Sequence, residues 1–357
     1  MATTKADSQS QEKLRFLVFG AGAIGTYIGG SLALQGHPVV FLEKPEVAVE
    51  IARRGLGLRL GEQEFRLPSP ILSTSFEQAF DQGPFDAGLI AVKSYDTPKF
   101  LESLQPHTGW LPPVLCLQNG VENEALLAER LGAEKVIAGT VTSAIGRTSP
   151  GEVILERLRG IGIAASHPLS PRLVQSFNQA GLNARLYPSA PAMKWSKMLT
   201  NLLANASSAI LDMNPGEIFA HAGLYRLEIA QLREALSVMR ALDIAVVDLP
   251  ATPVRLLAFF TQRLPPALSR PLLKQRLGSG RGGKMPSLHI DLHSGRSSSE
   301  VDSLNGAVVR FGQATEIQTP VNRLLNDTLL EMTRGSIPLA HFSRQPEKLL
   351  ALWERSG

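Results

Sequence analysis

Apolar positions along this chain change their period once. Up to about residue 187 they come as short runs of β type separated by helical stretches; beyond it they recur at helical spacing and no strand pattern returns. The first run, Phe16–Phe19, leads at once into Gly20-Ala21-Gly22-Ala23-Ile24-Gly25 and a helical pattern that stops at Gly36. A second strand, Val39–Leu42, ends in Glu43-Lys44. A helix over 47–54 then precedes Gly55-Leu56-Gly57 and a hairpin, 58–60 with 65–67, about Gly61. Buried strands are expected over 86–92 and 114–117, ending at Lys93 and at Gln118-Asn119-Gly120. Shorter strands over 136–142, 151–155 and 160–164, a turn at Pro150-Gly151, a helix over 171–181 and a strand over 184–187 complete this half.

The alternation predicts an α/β fold with an open, mostly parallel sheet, and G-x-G-x-x-G has meaning only in the place it occupies here, after a strand and before a helix. Gly20 makes the tight turn, Gly22 lets a pyrophosphate approach the backbone, and Gly25 lets helix and strand pack closely. The free N–H groups around Ala21, Ala23 and Ile24 would face the phosphates. Glu43 and Lys44 fall at the spacing where the adenosine ribose is read. Ligands of such sheets bind beyond the carboxyl ends of the strands, so Gly20, Glu43-Lys44, Lys93 and Asn119 would converge on one crevice. Asn119-Gly120 also suits a plain turn and Lys93 a solvated strand end; their place at the strand ends is what marks them.

A domain boundary is placed near Pro188, giving a dinucleotide-binding domain over 14–187 and a helical domain over 188–357. A helix over 193–211 is expected, with Lys197, Asn201 and Asn205 four apart within an arc of about 80°. A polar stripe is normally just the wet face of a surface helix. Here Leu199, Leu202, Leu203, Ala204 and Ala206 leave little other polar surface, so a lysine flanked by two amides becomes a candidate for polarising a carbonyl oxygen. A core helix follows over 224–242. Prolines break the stretch 250–286, and a last helix starts at Thr319-Pro320. Ser299-Glu300-Val301-Asp302 reads as a capping box, for which Glu300 needs no more than the helix dipole. His289 and His293 share a helix face, but no third His or Cys follows at ligand spacing, and no metal is expected.

With 357 residues, 44% of them hydrophobic and 19% charged, the chain has material for two cores. Residues 1–13 are polar and lack the apolar stretch of a secretory signal, so a disordered tail is expected. Cys116 is the only cysteine, which excludes an intrachain disulfide and a cysteine-based metal site and suits a cytoplasmic protein. The net charge of +4 does not suggest nucleic acid. Its distribution is uneven: Arg255, Arg263, Arg270, Lys274, Arg276, Arg281 and Lys284 occur without an acid, so the rest of the chain is net acidic. This basic insertion, about 250–285 and closed by Gly278-Ser279-Gly280-Arg281-Gly282-Gly283, fits an exposed helical excursion first, a homodimer contact second, and a membrane-surface or nucleic-acid element last.

Taken together, Gly20-x-Gly22-x-x-Gly25, Val92-Lys93, Gln118-Asn119-Gly120, Trp195-Ser196-Lys197 with Asn201 and Asn205, Pro286-Ser287 with Asp291, Glu300-Val301-Asp302-Ser303-Leu304-Asn305-Gly306 and Thr319-Pro320-Val321-Asn322 resemble the ketopantoate reductase (2-dehydropantoate 2-reductase) family. The resemblance runs from Leu14 to about Met332. It implies a Rossmann-type domain joined to an all-helical domain, with the active site between them. It further implies that Lys197 is the catalytic lysine and Glu300 the substrate-binding carboxylate. Asn119, Asn201, Asn205 and Ser287 would hold substrate or cofactor, and Lys93 would lie beside the cofactor. The expected reaction is NAD(P)H-dependent reduction of 2-dehydropantoate to pantoate, with another 2-oxo acid reductase or a non-catalytic nucleotide sensor as rival readings. The chain departs from the family in three places. Glu43-Lys44 replaces a neutral residue and an arginine, so NADPH is expected from the family while Glu43 leaves NADH open. Ser297-Ser298-Ser299 adds a residue that is expected to alter the wall of the substrate pocket. The basic insertion is longer than usual.

Overall fold

The computed structural model describes residues 12–265, 270 and 284–356. Most of the expected tail (1–11), and 266–269 and 271–283 of the basic insertion with Lys274, Arg276, Arg281 and the glycine run, lie outside the described residues.

The strands are β1 (Phe16–Phe19), β2 (Val39–Leu42), β3 (Leu56–Leu60), β4 (Gln63–Leu67), β5 (Ile71–Ser73), β6 (Ala87–Ile90), β7 (Val114–Cys116), β8 (Val136–Val141), β9 (Ala144–Ser149), β10 (Glu152–Arg157), β11 (Ile161–Ala164) and β12 (Ala184–Tyr187). Eight form one sheet in the order β12-β11-β8-β7-β6-β1-β2-β5, and β4-β3-β10-β9 form a second. Every pair in the large sheet is parallel except β8 with β11. The chain winds outward from β1 through β2 to β5, then crosses back to β6, so the order reverses between β1 and β6, the switch point where such sheets bind ligands. Register makes the crevice sharp: Phe19 pairs with both Leu42 and Ile90, and Ile90 pairs with Cys116, so four strands end flush.

The helix Ala23–Leu34 is buried on all sides from Gly25 to Leu32 because it lies between the two sheets. Its paired glycines make that possible. A Cβ on Gly29 would stand 2.6 Å from the Phe41 ring of β2, and one on Gly30 would stand 2.8 Å from Leu58 of β3. The opposite face of the large sheet is covered by Phe76–Phe80, Thr97–Leu104 and Asn123–Leu131. Strand β9 and the short β5 lack a signal of their own, since neither alternates clearly; pairing with β10 and β2 makes them strands.

The helical half starts at Ala190–Leu202, which lies against β8 and β11; Met193 Sδ would be 2.7 Å from a Cβ on Gly162 of β11. Its core is therefore continuous with Ala138, Ala164 and Tyr187 of the sheet. The single helix expected over 193–211 is two, Ala190–Leu202 and Ala206–Leu211. Between them Ala204 takes φ +50°. The buried Glu228 of the long helix Ala222–Ala241 stabilises this break, accepting from the Ala204 N–H at 2.6 Å and the Ser207 hydroxyl at 2.5 Å. A side-chain acceptor from another helix thus outcompetes the helical pattern. The helix Val254–Arg263 buries Val254, Leu257, Ala258 and Thr261, and Arg233 donates to its Thr261 carbonyl at 2.8 Å. The first part of the basic segment is thus a packed helix rather than an excursion. Among the described residues no helix is long and apolar enough to cross a membrane.

Replacing Gly29 by Leu should cost about 1–3 kcal/mol or more through overpacking against Phe41 and Val18. Gly109→Ala, where a Cβ meets nothing within 4 Å, should stay within about 0.5 kcal/mol of the parent. Urea unfolding of both variants checks the contrast, and equal midpoints would refute the squeezed-helix account.

Candidate active site

The turn after β1 is shaped for close approach. Gly20 has φ +94°. A Cβ on Gly25 would lie 1.9 Å from the Gly20 carbonyl oxygen, so only glycine lets the helix begin there, whereas a Cβ on Gly22 would meet nothing within 4 Å. The space beside Gly22 and the helix start at Ala23-Ile24 fit the pyrophosphate of a dinucleotide. Glu43, at the end of β2, accepts from the Ala21 N–H at 2.6 Å and from the Lys44 N–H at 2.9 Å, which holds its carboxylate against the glycine turn. Lys44 is exposed and caps the helix Pro45–Arg54.

Lys93 reaches across to the helical half. Its ammonium donates to Asp291 Oδ2 at 2.9 Å and to Glu300 Oε2 at 2.8 Å, and both carboxylates are buried. Burial alone would lower the Lys93 pKa; the facing Glu300 and Asp291 outweigh it and hold the group above its ordinary value. Ser94 donates to Glu300 Oε1 at 3.4 Å, while Arg296 lies 3.4 Å from Asp291 and donates to the Tyr95 hydroxyl at 3.0 Å. A second crossing joins Asn201 Nδ2 to Asn119 Oδ1 at 3.0 Å, with Asn123 donating to the Asn119 carbonyl at 2.6 Å. Lys197, half-buried, lies one turn before Asn201 on the same helix face.

The expected stripe of Lys197, Asn201 and Asn205 is not continuous, because the backbone turns at Ala204. Asn205 is buried; it donates to the Asn201 carbonyl at 3.0 Å and accepts from the Leu288 N–H at 3.2 Å. It thereby ties the start of the helix Ser287–His293 to the break. Ser287 is the exposed first residue of that helix. The expected capping box is absent: Ser299 accepts from the Val301 N–H at 3.2 Å, and Asp302 pairs with Arg310 at 3.0 Å. The segment continues as a π-helical turn, Asp302–Gly306, a form common at functional sites. That turn approaches the end of β7 so closely that a Cβ on Gly120 would be 2.9 Å from the Ser303 carbonyl. Ser297, Ser298 and Ser299 line a hollow of about 320 Å³ with Asp302, Leu330, Thr333 and Arg334. Lys93, Asn119, Lys197 and Glu300 are not among the residues that line this hollow.

Sequence reasoning missed Lys194. It is buried and donates to the Gln118 and Gly139 carbonyls at 2.7 and 3.2 Å while pairing with Glu124 at 2.7 Å. Burial would lower its pKa, and Glu124 outweighs burial and raises it. The ammonium thus clamps the peptide before Asn119 to the first helix of the helical half. The only available signal was a lysine on the apolar side of that helix. Asp291 stood in the sequence without a role, because its partner lies 198 positions away.

A glycine turn at the switch point of a mostly parallel sheet, with a lysine-bearing helical half docked against the same strand ends, is the arrangement of a dinucleotide-dependent oxidoreductase. The chain matches the ketopantoate reductase PanE/ApbA family over residues 16–166 and the ketopantoate reductase PanE/ApbA C-terminal family over 191–333. It belongs to the ketopantoate reductase family. A 2-dehydropantoate 2-reductase of Halobacterium salinarum is 28% identical over 323 residues, 88% of this chain and 97% of that protein. The PanE/ApbA family ketopantoate reductase of Ralstonia eutropha superposes with a TM-score of 0.76 at 26% identity, over 92% of this chain and all of that one. D-mandelate dehydrogenase, solved with NADH and anilino(oxo)acetate, shares the fold with a TM-score of 0.73 at 20% identity, over 90% of this chain and 99% of that one.

Lys93→Met should destabilise the protein by on the order of 2 kcal/mol at pH 8, discounted because Lys93 is 33% exposed. The wild-type lysine, raised in the fold, keeps its contribution below its ordinary value and loses it only above, so the contribution is fully present at pH 8. Urea unfolding of the wild type and the variant at pH 8 tests this, and equal midpoints would sink it.

Proposed function

We propose that this protein reduces 2-dehydropantoate to pantoate, the step that supplies pantothenate synthesis, in the cleft between the sheet and the helical half. The observation that carries the reading is the meeting of Lys93 with Glu300 and of Asn119 with Asn201, which brings family residues from both halves to one edge of the sheet, one helical turn from Lys197. When bound, the reduced nicotinamide supplies a hydride for the C2 carbonyl of the substrate. Lys197, as an ammonium, polarises that oxygen and donates the proton that completes the alcohol. Glu300 accepts a hydrogen bond from the substrate's terminal hydroxyl. Asn119, Asn201 and Ser287 orient the polar groups, and Asn205 positions Ser287 through the Leu288 N–H. In this reading Lys93 shares itself between cofactor and Glu300, so its ammonium sets the charge of the hydroxyl-binding end. The buried Cys116, whose thiol burial pushes up, suits a reducing cytoplasm.

Cofactor choice turns on Glu43. The family alone favours NADPH. A carboxylate held at the glycine turn by the Ala21 N–H favours a free ribose hydroxyl and repels a 2′-phosphate, so we place NADH at least level with NADPH. Lys44, exposed at the same strand end, is the residue available to a phosphate.

Initial rates of 2-dehydropantoate-dependent oxidation of NADH and NADPH test both statements. Turnover with neither, in protein that binds the nucleotide, would move the substrate to another 2-oxo acid. Lys197→Ala should lower kcat by ~10²–10⁴-fold with nucleotide binding nearly unchanged; unchanged kcat would remove Lys197 from the chemistry. Glu43→Gln keeps an acceptor for the Ala21 N–H and removes the charge, and it should shift the ratio of kcat/KM toward NADPH. A ratio that does not move would show that Glu43 does not read the ribose.

A further inference from the structure

The helix Ser287–His293 is used on two sides. Asp291 faces Lys93 in the cleft. On another face His289 and His293, one turn apart, stack with ring centroids 4.0 Å apart beside Asp212. Asp212 closes the helix Ala206–Leu211 with φ +51°. His289 Nε2 is 2.7 Å from Asp212 Oδ1, and the Ser343 hydroxyl donates to Asp212 Oδ2 at 3.4 Å. One ligand-type atom from each of Asp212, His289 and His293 lies within 4.8 Å of the other two, and among the described residues no other such trio of His, Cys, Asp or Glu is found.

We propose that Asp212, His289 and His293 form a binding site for a divalent transition-metal ion, with zinc the best fit to the donor set. Histidines at i and i+4 on one helix face are a bidentate chelator by spacing alone, and a carboxylate from a second element completes a three-ligand set with one position for water. Bonds of about 2.0–2.1 Å to a tetrahedral ion put ligand atoms roughly 3.3 Å apart, so small side-chain rotations close the present separations. The surroundings supply an outer partner as well: Ser343 donates to the far oxygen of Asp212. His293 is exposed, which gives the ion a way in. The bound ion fastens the helix that carries Ser287 and Asp291 to the Asp212 turn, from outside the cleft.

The test uses full-length protein without an affinity tag, stripped with a chelator and titrated with zinc chloride by calorimetry and with cobalt chloride by visible absorption. One zinc per chain is expected, together with a zinc-dependent rise in melting temperature and cobalt ligand-field bands. His293→Ala, at an exposed position, should weaken zinc binding by at least the roughly 10–100-fold that loss of even an outer-shell partner costs. Asp212→Asn should do the same without straining the backbone, since asparagine tolerates the left-handed conformation. His167→Ala, outside the trio, should change nothing. Zinc binding that survives both His293→Ala and Asp212→Asn overturns the proposal, as does a wild-type protein that takes up no zinc, which would leave His289 and Asp212 as an ion pair only.

Discussion

Two buried carboxylates on the helical half, Asp291 and Glu300, share a single ammonium contributed by the nucleotide-binding half. Charges buried without partners are far more costly than the same charges paired, so this triad fixes how the two halves face each other. Other crossings reinforce the same edge: Asn201 with Asn119, Lys194 with the Gln118 carbonyl, and Arg310 with Glu122 at 2.6 Å. All of them land on the segments that follow β6 and β7, where the flush strand ends open the crevice. The geometry that lets a dinucleotide approach is therefore the geometry that docks the helices.

Behind that edge the helical half is organised by polar groups as much as by its apolar core. Glu228 and Gln231 are fully buried on one helix. Gln231 donates to Glu228 at 2.5 Å and accepts from Asn305 at 3.1 Å; Asn305 donates to Asn322, and Asn322 donates to Glu234 at 2.7 Å. Burial raises the pKa of Glu234 against the lowering effect of its hydrogen bonds to Asn322 and Val321. The network joins the break after Leu202, the π-turn at Asp302–Gly306 and the start of Pro320–Thr333. These irregular places also carry the proposed site residues. Local deviations from ideal helix persist because a buried partner stabilises each of them.

Much of this was legible in the chain. The period change near residue 187, the glycine turn after Phe19 and the ends of the four strands were readable because each is a local pattern with a local cause. Lys197 and Asn201 stood out by helical spacing. Asn205 stood out too, but its side chain serves the framework, since nothing in the spacing reveals that the backbone turns at Ala204. The Ser299–Asp302 motif misled for a related reason: a capping box needs both reciprocal bonds, and here Arg310 takes Asp302 instead.

By itself the sequence determined the strand-turn-helix that cradles a dinucleotide, the mostly parallel sheet and the helical half, because propensity, period and glycine sterics act between neighbours. Only the tertiary structure decided which charges meet. Lys93 finds Asp291 and Glu300, Lys194 finds Glu124, and His289 and His293 find Asp212 because packing brings together residues far apart in the chain, and the energy of a charge or a ligand set depends on that proximity, which no periodicity records.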